Sequence, residues 1–295
     1  MIDSQTELVG LVGWPVEHSV SPAMHNAAFE ALGLNWRYVP LPVRPGQVET
    51  AVRGLGALGF RGANVTVPHK RAVIPALDSF GSNARALGAV NTLVIGQRED
   101  GSAAIGGFNT DDEGALSALR GGGFEPEEGG VAVVVGAGGA ARAVVFGLLR
   151  SGIGEVAVLN RTLERARALV ADLSDPHTWL GTAYALPLTS ETLIESARTA
   201  DLLVNATPVG MWPHGGESPW PDGVPLPAHL IVFDLVYNPM ETRLLGQARE
   251  SGARPVGGLG MLVHQGAVAF QMWTGEWPPT DVMRAAAEKA LRSTH

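Results

Sequence analysis

The sequence predicts an α/β fold in two domains. Three observations carry that expectation. Val131–Val135 is an unbroken apolar run followed by glycines at Gly136, Gly138 and Gly139. Such a run suits a strand buried on both faces, as strands of parallel sheets are. From there to residue 256, strand-like and helix-like segments alternate, the pattern of a parallel sheet with crossover helices. The length of 295 residues is generous for one domain, and Gly121-Gly122-Gly123 offers a hinge ahead of the glycine-rich turn.

That turn predicts a ligand. Gly136, Gly138 and Ala141 stand at G-x-G-x-x-A spacing. The first glycine permits a tight turn, the second lets a pyrophosphate approach bare backbone, and the small third residue lets the helix pack on the strand. The helix over residues 139–150 would aim unpaired N–H groups at phosphates. The next strand, residues 155–159, ends in Asn160-Arg161-Thr162. A chain that selects NAD usually carries a carboxylate there for the ribose 2′-hydroxyl. An amide and a guanidinium match a 2′-phosphate instead, with Arg165 close by if Thr162 begins a helix. The sequence therefore predicts NADP.

The remaining elements follow in order. Residues 8–12 read as a short apolar strand. Ser21-Pro22 predicts a helix start, with Ser21 at the N-cap and Pro22 at the first helical position. Met24, Ala27, Ala28, Ala31 and Leu32 keep the helical period and Gly33 ends it. Residues 38–41 read as a strand and 47–58 as a helix. Residues 62–70 (GANVTVPHK) read as a strand end feeding a helix. Residues 91–95 and 103–108 are strands flanking the polar turn 97–102, and Asn109-Thr110-Asp111 caps a helix over 112–119. Beyond the glycine turn, helices are predicted at 163–173, 191–197, 241–251, 261–273 and 280–291. Strands are predicted at 182–186, 201–205, 230–235 and 254–256, with a Pro- and Gly-rich loop over 212–227.

Four polar clusters fall at predicted element ends. Ser19 and Ser21 would offer hydroxyls and free N–H groups to a carboxylate, or Ser21 would simply cap its helix. Asn64, Thr66 and Lys70 form the second cluster. A lysine early in a helix opposes the dipole, which hints at a task. Asn91 and the Asn109-Thr110-Asp111 run read as caps or as ligands. A Lys–Asp pair facing a nicotinamide makes chemical sense. Ketone reduction puts negative charge on oxygen, which an ammonium stabilises and protonates, while the carboxylate orients the ammonium.

Composition excludes several classes. The absence of cysteine removes disulfides, thiolate nucleophiles and Cys-based zinc sites. His18, His25 and His69 lack metal-ligand spacing, so no metal is expected. No G-x-S-x-G elbow is present. A net charge of −8 without a basic stripe argues against nucleic acid. The MIDSQTE start has no signal-like pattern, and no apolar run is long enough to span a bilayer. The expectation is a cytoplasmic protein with a small-molecule substrate and no membrane partner.

The chain resembles the shikimate dehydrogenase family, which includes quinate dehydrogenases. The matching stretches are His18-Ser19-Val20-Ser21-Pro22 with Met24-His25-Asn26, residues 62–70, Gly88-Ala89-Val90-Asn91-Thr92 and Gly107-Phe108-Asn109-Thr110-Asp111. They continue with residues 136–141, Asn160-Arg161-Thr162, Asn205-Ala206-Thr207, Tyr237-Asn238-Pro239 and Gly260-Met261-Leu262-Val263-His264-Gln265. They keep the family's order over nearly the full length. The resemblance implies NADPH-dependent, reversible reduction of 3-dehydroshikimate to shikimate, by a monomer or homodimer. It implies a substrate-binding domain (residues 1–111 and 262–295), a Rossmann-type NADP domain (112–261) and a cleft between them. Ser19, Ser21 and Tyr237 would hold the substrate carboxylate. Asn64, Thr66, Asn91, Asp111 and Gln265 would take ring hydroxyls, with Lys70 and Asp111 the catalytic pair. Gly136, Gly138, Gly139 and Ala140 would cradle the pyrophosphate. Asn160, Arg161, Thr162 and Arg165 would grip the 2′-phosphate, and Thr207, Leu235 and Gly258 would line the nicotinamide side. Trp14, Pro208 and Leu235 depart from common family residues without removing a proposed catalytic group. The alternatives are a relative acting on quinate or an amino-substituted ring, perhaps with NAD, and a catalytically silent NADP-binding regulator. Relatives that favour NAD tend to carry an acid near Thr162, which this chain lacks.

Overall fold

Glu7–Gly13 (β1) is apolar over its second half and buried there, and it is the first strand of the first unit's sheet. The computed structural model describes residues 2–127, 129–173 and 181–293. Two compact units emerge: Met1–Thr110 with Val263–His295, and Asp111–Leu262.

In the first unit, β1 is followed by α1 (Ser21–Ala31), β2 (Trp36–Pro42), α2 (Val48–Ala57) and β3 (Gly62–Val65). Then come β4 (Ser79–Phe80), α3 (Ser82–Leu87), β5 (Thr92–Gln97) and β6 (Ala103–Phe108). The strand order is β2-β1-β3-β5-β6-β4. β1 pairs in parallel with β2 and β3, while β5 runs antiparallel to β3 and β6. Val12, Val52, Ala63, Val73, Val90 and Leu93 meet in one buried cluster under this sheet. Helix α10 (Thr280–Ser293) packs on α1 and buries Met283, Ala287 and Leu291 along one stripe.

The second unit runs α4 (Asp111–Gly121), β7 (Val131–Val135), α5 (Gly139–Arg150), β8 (Glu155–Asn160) and α6 (Leu163–Leu173). It continues with β9 (Thr182–Pro187), α7 (Ser190–Ala197), β10 (Leu202–Asn205), β11 (Ile231–Asp234), α8 (Arg243–Glu250) and β12 (Arg254–Gly257). Helix α9 (Leu259–Thr274) starts at the end of this unit and continues from Val263 as part of the first. The sheet order is β12-β11-β10-β7-β8-β9, and every pair is parallel. This is the doubly wound arrangement, with its switch point between β7 and β10. The segment between β10 and β11 has no regular element but is anchored by Trp220, which is buried and donates its indole N–H to the Val224 carbonyl at 2.7 Å.

Two readings from the sequence are corrected, and two elements are not read at all. No α-helix follows β3: residues 70–73 form turns and Ile74–Ala76 a single 3-10 turn. Pro75 has no N–H to give the Arg71 carbonyl, so an α-helix there would lose a bond, and short-range bonds replace it. Ser21 is not the N-cap of α1. Val20 occupies that place without a side-chain cap, and Ser21 is the first helical residue. The elements β4 and α3 escape the sequence reading because two and six residues are too short to show a period.

Candidate active site

Ser19 and Ser21 meet where α1 begins. The Ser21 N–H donates to Ser19 Oγ at 3.3 Å, which satisfies one N-terminal amide of the helix. Because Ser21 does not cap, its hydroxyl is left to face the Tyr38 phenol in β2. The Tyr38 hydroxyl donates to Asn64 Oδ1 at 2.9 Å. Asn64 in turn donates to the Asn91 carbonyl and to Thr92 Oγ1, each at 3.2 Å. Thr92 donates to Asn91 Oδ1 at 3.0 Å, which also receives the Thr110 N–H at 2.9 Å. Asn91 Nδ2 donates to Thr110 Oγ1 at 3.0 Å and, at 3.4 Å, to Gln265 Oε1. Thr110 Oγ1 donates to the Gln265 carbonyl at 3.1 Å.

The first unit thus brings Asn64, Asn91 and Gln265 into one connected polar network, and sets Ser19 and Ser21 together at the start of α1. Ser21, Asn64, Asn91, Thr92 and Thr110 are all buried. Buried polar groups persist when mutually satisfied, and this network holds each side chain in one orientation. Thr66 and Lys70 lie just past β3. The Thr66 N–H donates to the Val12 carbonyl at 2.9 Å, and the Lys70 carbonyl accepts from Val90 at 2.8 Å. Both are half-buried, so their side chains keep access to solvent. His69, by contrast, is buried with Nε2 on the Val43 carbonyl at 2.6 Å, a structural role.

Tyr38 and Thr92 are linking residues that pattern reasoning did not assign to the site, whereas Thr110 lies in the Asn109-Thr110-Asp111 run it singled out. Tyr38 had one legible signal: a polar-tipped ring in an apolar strand needs a partner for its hydroxyl when buried.

In the second unit every strand of the sheet points the same way, so the carboxyl ends line one edge. Gly136, Gly138, Gly139 and Ala140 follow β7, Arg161 and Thr162 follow β8 from Asn160 at its last position, Thr207 follows β10, Leu235 follows β11 and Gly258 follows β12. Gly136 has φ +116°, and a Cβ there would stand 2.9 Å from the Ala206 carbonyl oxygen. Only glycine suits that turn. At Gly138 and Gly139 a Cβ would meet nothing within 4 Å, so open space lies above the N-terminus of α5. A Cβ at Gly258 would collide with the Leu235 carbonyl. Bare backbone, unpaired helix N–H groups and open space are what a pyrophosphate needs, so these residues fit a dinucleotide. Arg161, Thr162 and Arg165 are exposed, and Asn160 Nδ2 donates to the Thr162 carbonyl at 2.8 Å, shaping the turn that presents them.

A buried carboxylate braces this edge. Asp234 accepts from Asn205 Nδ2 at 2.9 Å, from the Val236 N–H at 3.1 Å and from Thr242 Oγ1 at 2.6 Å. Burial pushes its pKa up, and the three donors oppose that shift. Asn205 Oδ1 accepts from the Thr207 hydroxyl at 2.6 Å. One side chain therefore ties the loop carrying Thr207 to the one leading to Tyr237, whose phenol burial also pushes up. Asp111 is buried at the first position of α4, next in sequence to Thr110. Among the described residues no group of three or more His, Asp or Glu is arranged to hold a metal ion.

Comparison with known proteins agrees with this construction. Residues 11–93 match the model of the shikimate dehydrogenase substrate binding domain, 124–209 that of shikimate / quinate 5-dehydrogenase, and 258–288 that of the shikimate 5′-dehydrogenase C-terminal domain. An NADP(+) shikimate dehydrogenase of Methanopyrus kandleri is 49% identical over 292 residues, 99% of this chain and 98% of that protein. The crystal structure of shikimate 5-dehydrogenase from Thermus thermophilus, in complex with NADP(H) and shikimate, is 40% identical. It covers 96% of this chain and 99% of its own, with a TM-score of 0.83. Quinate dehydrogenase from Corynebacterium glutamicum, in complex with NAD, is 33% identical, covers 96% of this chain and 99% of its own, and has a TM-score of 0.87. The polar network of the first unit, the dinucleotide platform of the second and full-length identity to these enzymes lead to one conclusion: this chain belongs to the shikimate dehydrogenase family.

Proposed function

We propose that this protein is an NADP-dependent oxidoreductase that interconverts shikimate and 3-dehydroshikimate, a step toward the aromatic amino acids. The observation that carries this reading is a pairing within one chain. A polyhydroxyl-binding network built on Asn64 and Asn91 accompanies a dinucleotide edge whose ribose end carries Arg161 where NAD enzymes place an acid.

Ser19, Ser21 and Tyr237 hold the substrate carboxylate through neutral donors. Asn64, Thr66, Asn91, Asp111 and Gln265 take the ring hydroxyls, which orients the C3 carbon. Bound along Gly136–Gly139 and gripped at its 2′-phosphate by Asn160, Arg161, Thr162 and Arg165, NADP supplies the hydride chemistry. Thr207, Leu235 and Gly258 shape the nicotinamide side. Lys70 Nζ holds the proton that the C3 oxygen gains on reduction, and its charge stabilises the oxyanion as it develops. The Asp111 carboxylate orients that ammonium. Residues 1–111 and 262–295 form the substrate-binding domain and 112–261 the NADP domain. A cytoplasmic location and a monomeric or homodimeric state accompany this reading. Among the described residues no helix is long and apolar enough to cross a membrane.

The test is oxidation of shikimate and of quinate with NADP and with NAD, followed by the absorbance of the reduced nicotinamide. Shikimate with NADP should be the best pair. No turnover of shikimate with either cofactor would reject the proposal, and preference for quinate would move the substrate. Tight NADP binding without turnover of any ring acid would point to a silent regulator. Lys70→Ala should cut kcat by roughly a hundredfold or more while leaving NADP affinity intact, as expected for loss of a general acid. Loss of cofactor binding instead would show that Lys70 has been given the wrong task.

A further inference from the structure

Tyr38 is fully enclosed. The His25 ring lies parallel to it, with centroids 4.4 Å apart and planes at 3°, and Trp273 tilts against it at 6.1 Å. Packing this close fixes where the phenol oxygen stands. That oxygen donates its proton to Asn64 Oδ1 at 2.9 Å.

A primary amide has two N–H donors and two lone pairs on oxygen. Both Asn64 protons are engaged, on the Asn91 carbonyl and on Thr92 Oγ1. Tyr38 occupies one lone pair of Oδ1. One lone pair remains, and the amide cannot turn over without setting Oδ1 against the Asn91 carbonyl oxygen.

We propose that Tyr38 is a positioning residue that locks Asn64 as a pure acceptor, so that this point of the site takes a hydroxyl or an amine and rejects a carbonyl, an ether or a fluorine. The inference rests on Asn64 being a substrate ligand, as proposed above. It adds that the carbonyl undergoing reduction never faces Asn64; only a hydroxyl retained through the reaction does. Burial pushes the phenol pKa further up from its ordinary value, so Tyr38 remains a donor across the working range.

Tyr38→Phe keeps the ring and its stack and removes only the O–H. It should raise the KM for shikimate roughly tenfold while kcat changes less than roughly threefold, the effect of one lost ground-state hydrogen bond. NADP affinity should not change. A merely structural residue would lower the active fraction, hence kcat, without moving KM. On an Asn64→Ala background Tyr38→Phe should add less than roughly twofold, since the two act as a unit. Thr92→Val loosens the same amide from its other side and carries the same KM expectation should Tyr38→Phe not fold. Among ring analogues carrying fluorine in place of each hydroxyl in turn, the one altered opposite Asn64 should lose roughly a hundredfold or more in kcat/KM, while its amino counterpart remains a substrate. Wild-type KM in Tyr38→Phe, or an undiminished effect on the Asn64→Ala background, would overturn this inference alone. Failure of the wild type to oxidise shikimate would remove the functional reading as well.

Discussion

Acid should cost this protein stability through a single imidazole. His25 is fully buried against Tyr38, Phe270 and Trp273, and neither ring nitrogen has a hydrogen-bond partner. Nothing in that setting solvates a cation, and burial pulls the pKa from 6.5 down to about 3. The unfolded chain takes up the proton near the ordinary value, whereas the folded chain resists until far lower pH. The stability carried by the neutral ring is therefore whole above the unfolded pKa and is lost as pH falls toward the folded one. At about 1.4 kcal/mol per unit, moving from about pH 7 to about pH 4.5 should cost about 2.5 kcal/mol through His25. Urea unfolding at both pH values, on wild type and His25→Phe, isolates this contribution. Phenylalanine keeps the stack and does not titrate. Other groups shift as well: His264 is lowered by burial and by Arg284, and Asp234 is raised by burial. They titrate in both proteins and cancel in the difference. The wild type should lose about 2.5 kcal/mol more than the variant on acidification. Equal losses would show that the imidazole is hydrated or partnered, and the reasoning would fail.

Two further outcomes follow from the dinucleotide edge. Arg161→Ala should weaken NADP roughly tenfold to a hundredfold, the worth of charge-assisted hydrogen bonds to a phosphate, and leave NAD within about twofold. Equal losses in a fluorescence titration of both cofactors would argue against a 2′-phosphate contact. Gly136→Ala forces a side chain into a φ of +116° and against the Ala206 carbonyl. It should lower stability by about 1–3 kcal/mol and weaken both cofactors alike, and wild-type affinity in equilibrium binding would show that the turn tolerates the change.

Much of the architecture is legible because its causes are local. The five apolar residues of β7, the glycines after it and the periods of α5 and α6 mark these elements at the bounds the structure shows. Hairpin strand β6 is likewise bounded by its polar turn. Lys70 shows where local reasoning stops. Residues 62–70 read as a strand end feeding a helix, but Pro75 removes the bond that helix would need. Ser21 shows the same limit from the other side. Ser-Pro marks the start of α1 correctly, yet whether the hydroxyl caps the helix or reaches Tyr38 depends on a strand that lies beyond the helix in sequence.

The sequence by itself determined the class of fold, the family and the chemical character of the candidate groups, since each of these depends on composition and short spacing. The tertiary structure alone decided how the polar groups are wired. Asn64 could accept or donate until Asn91 and the first residue of β5 set a carbonyl and a hydroxyl against its amide protons and β2 brought a phenol to its oxygen. His25 could titrate normally until α9 and β2 closed over it. Hydrogen-bond polarity and desolvation are set by neighbours distant along the chain, and no local pattern encodes them.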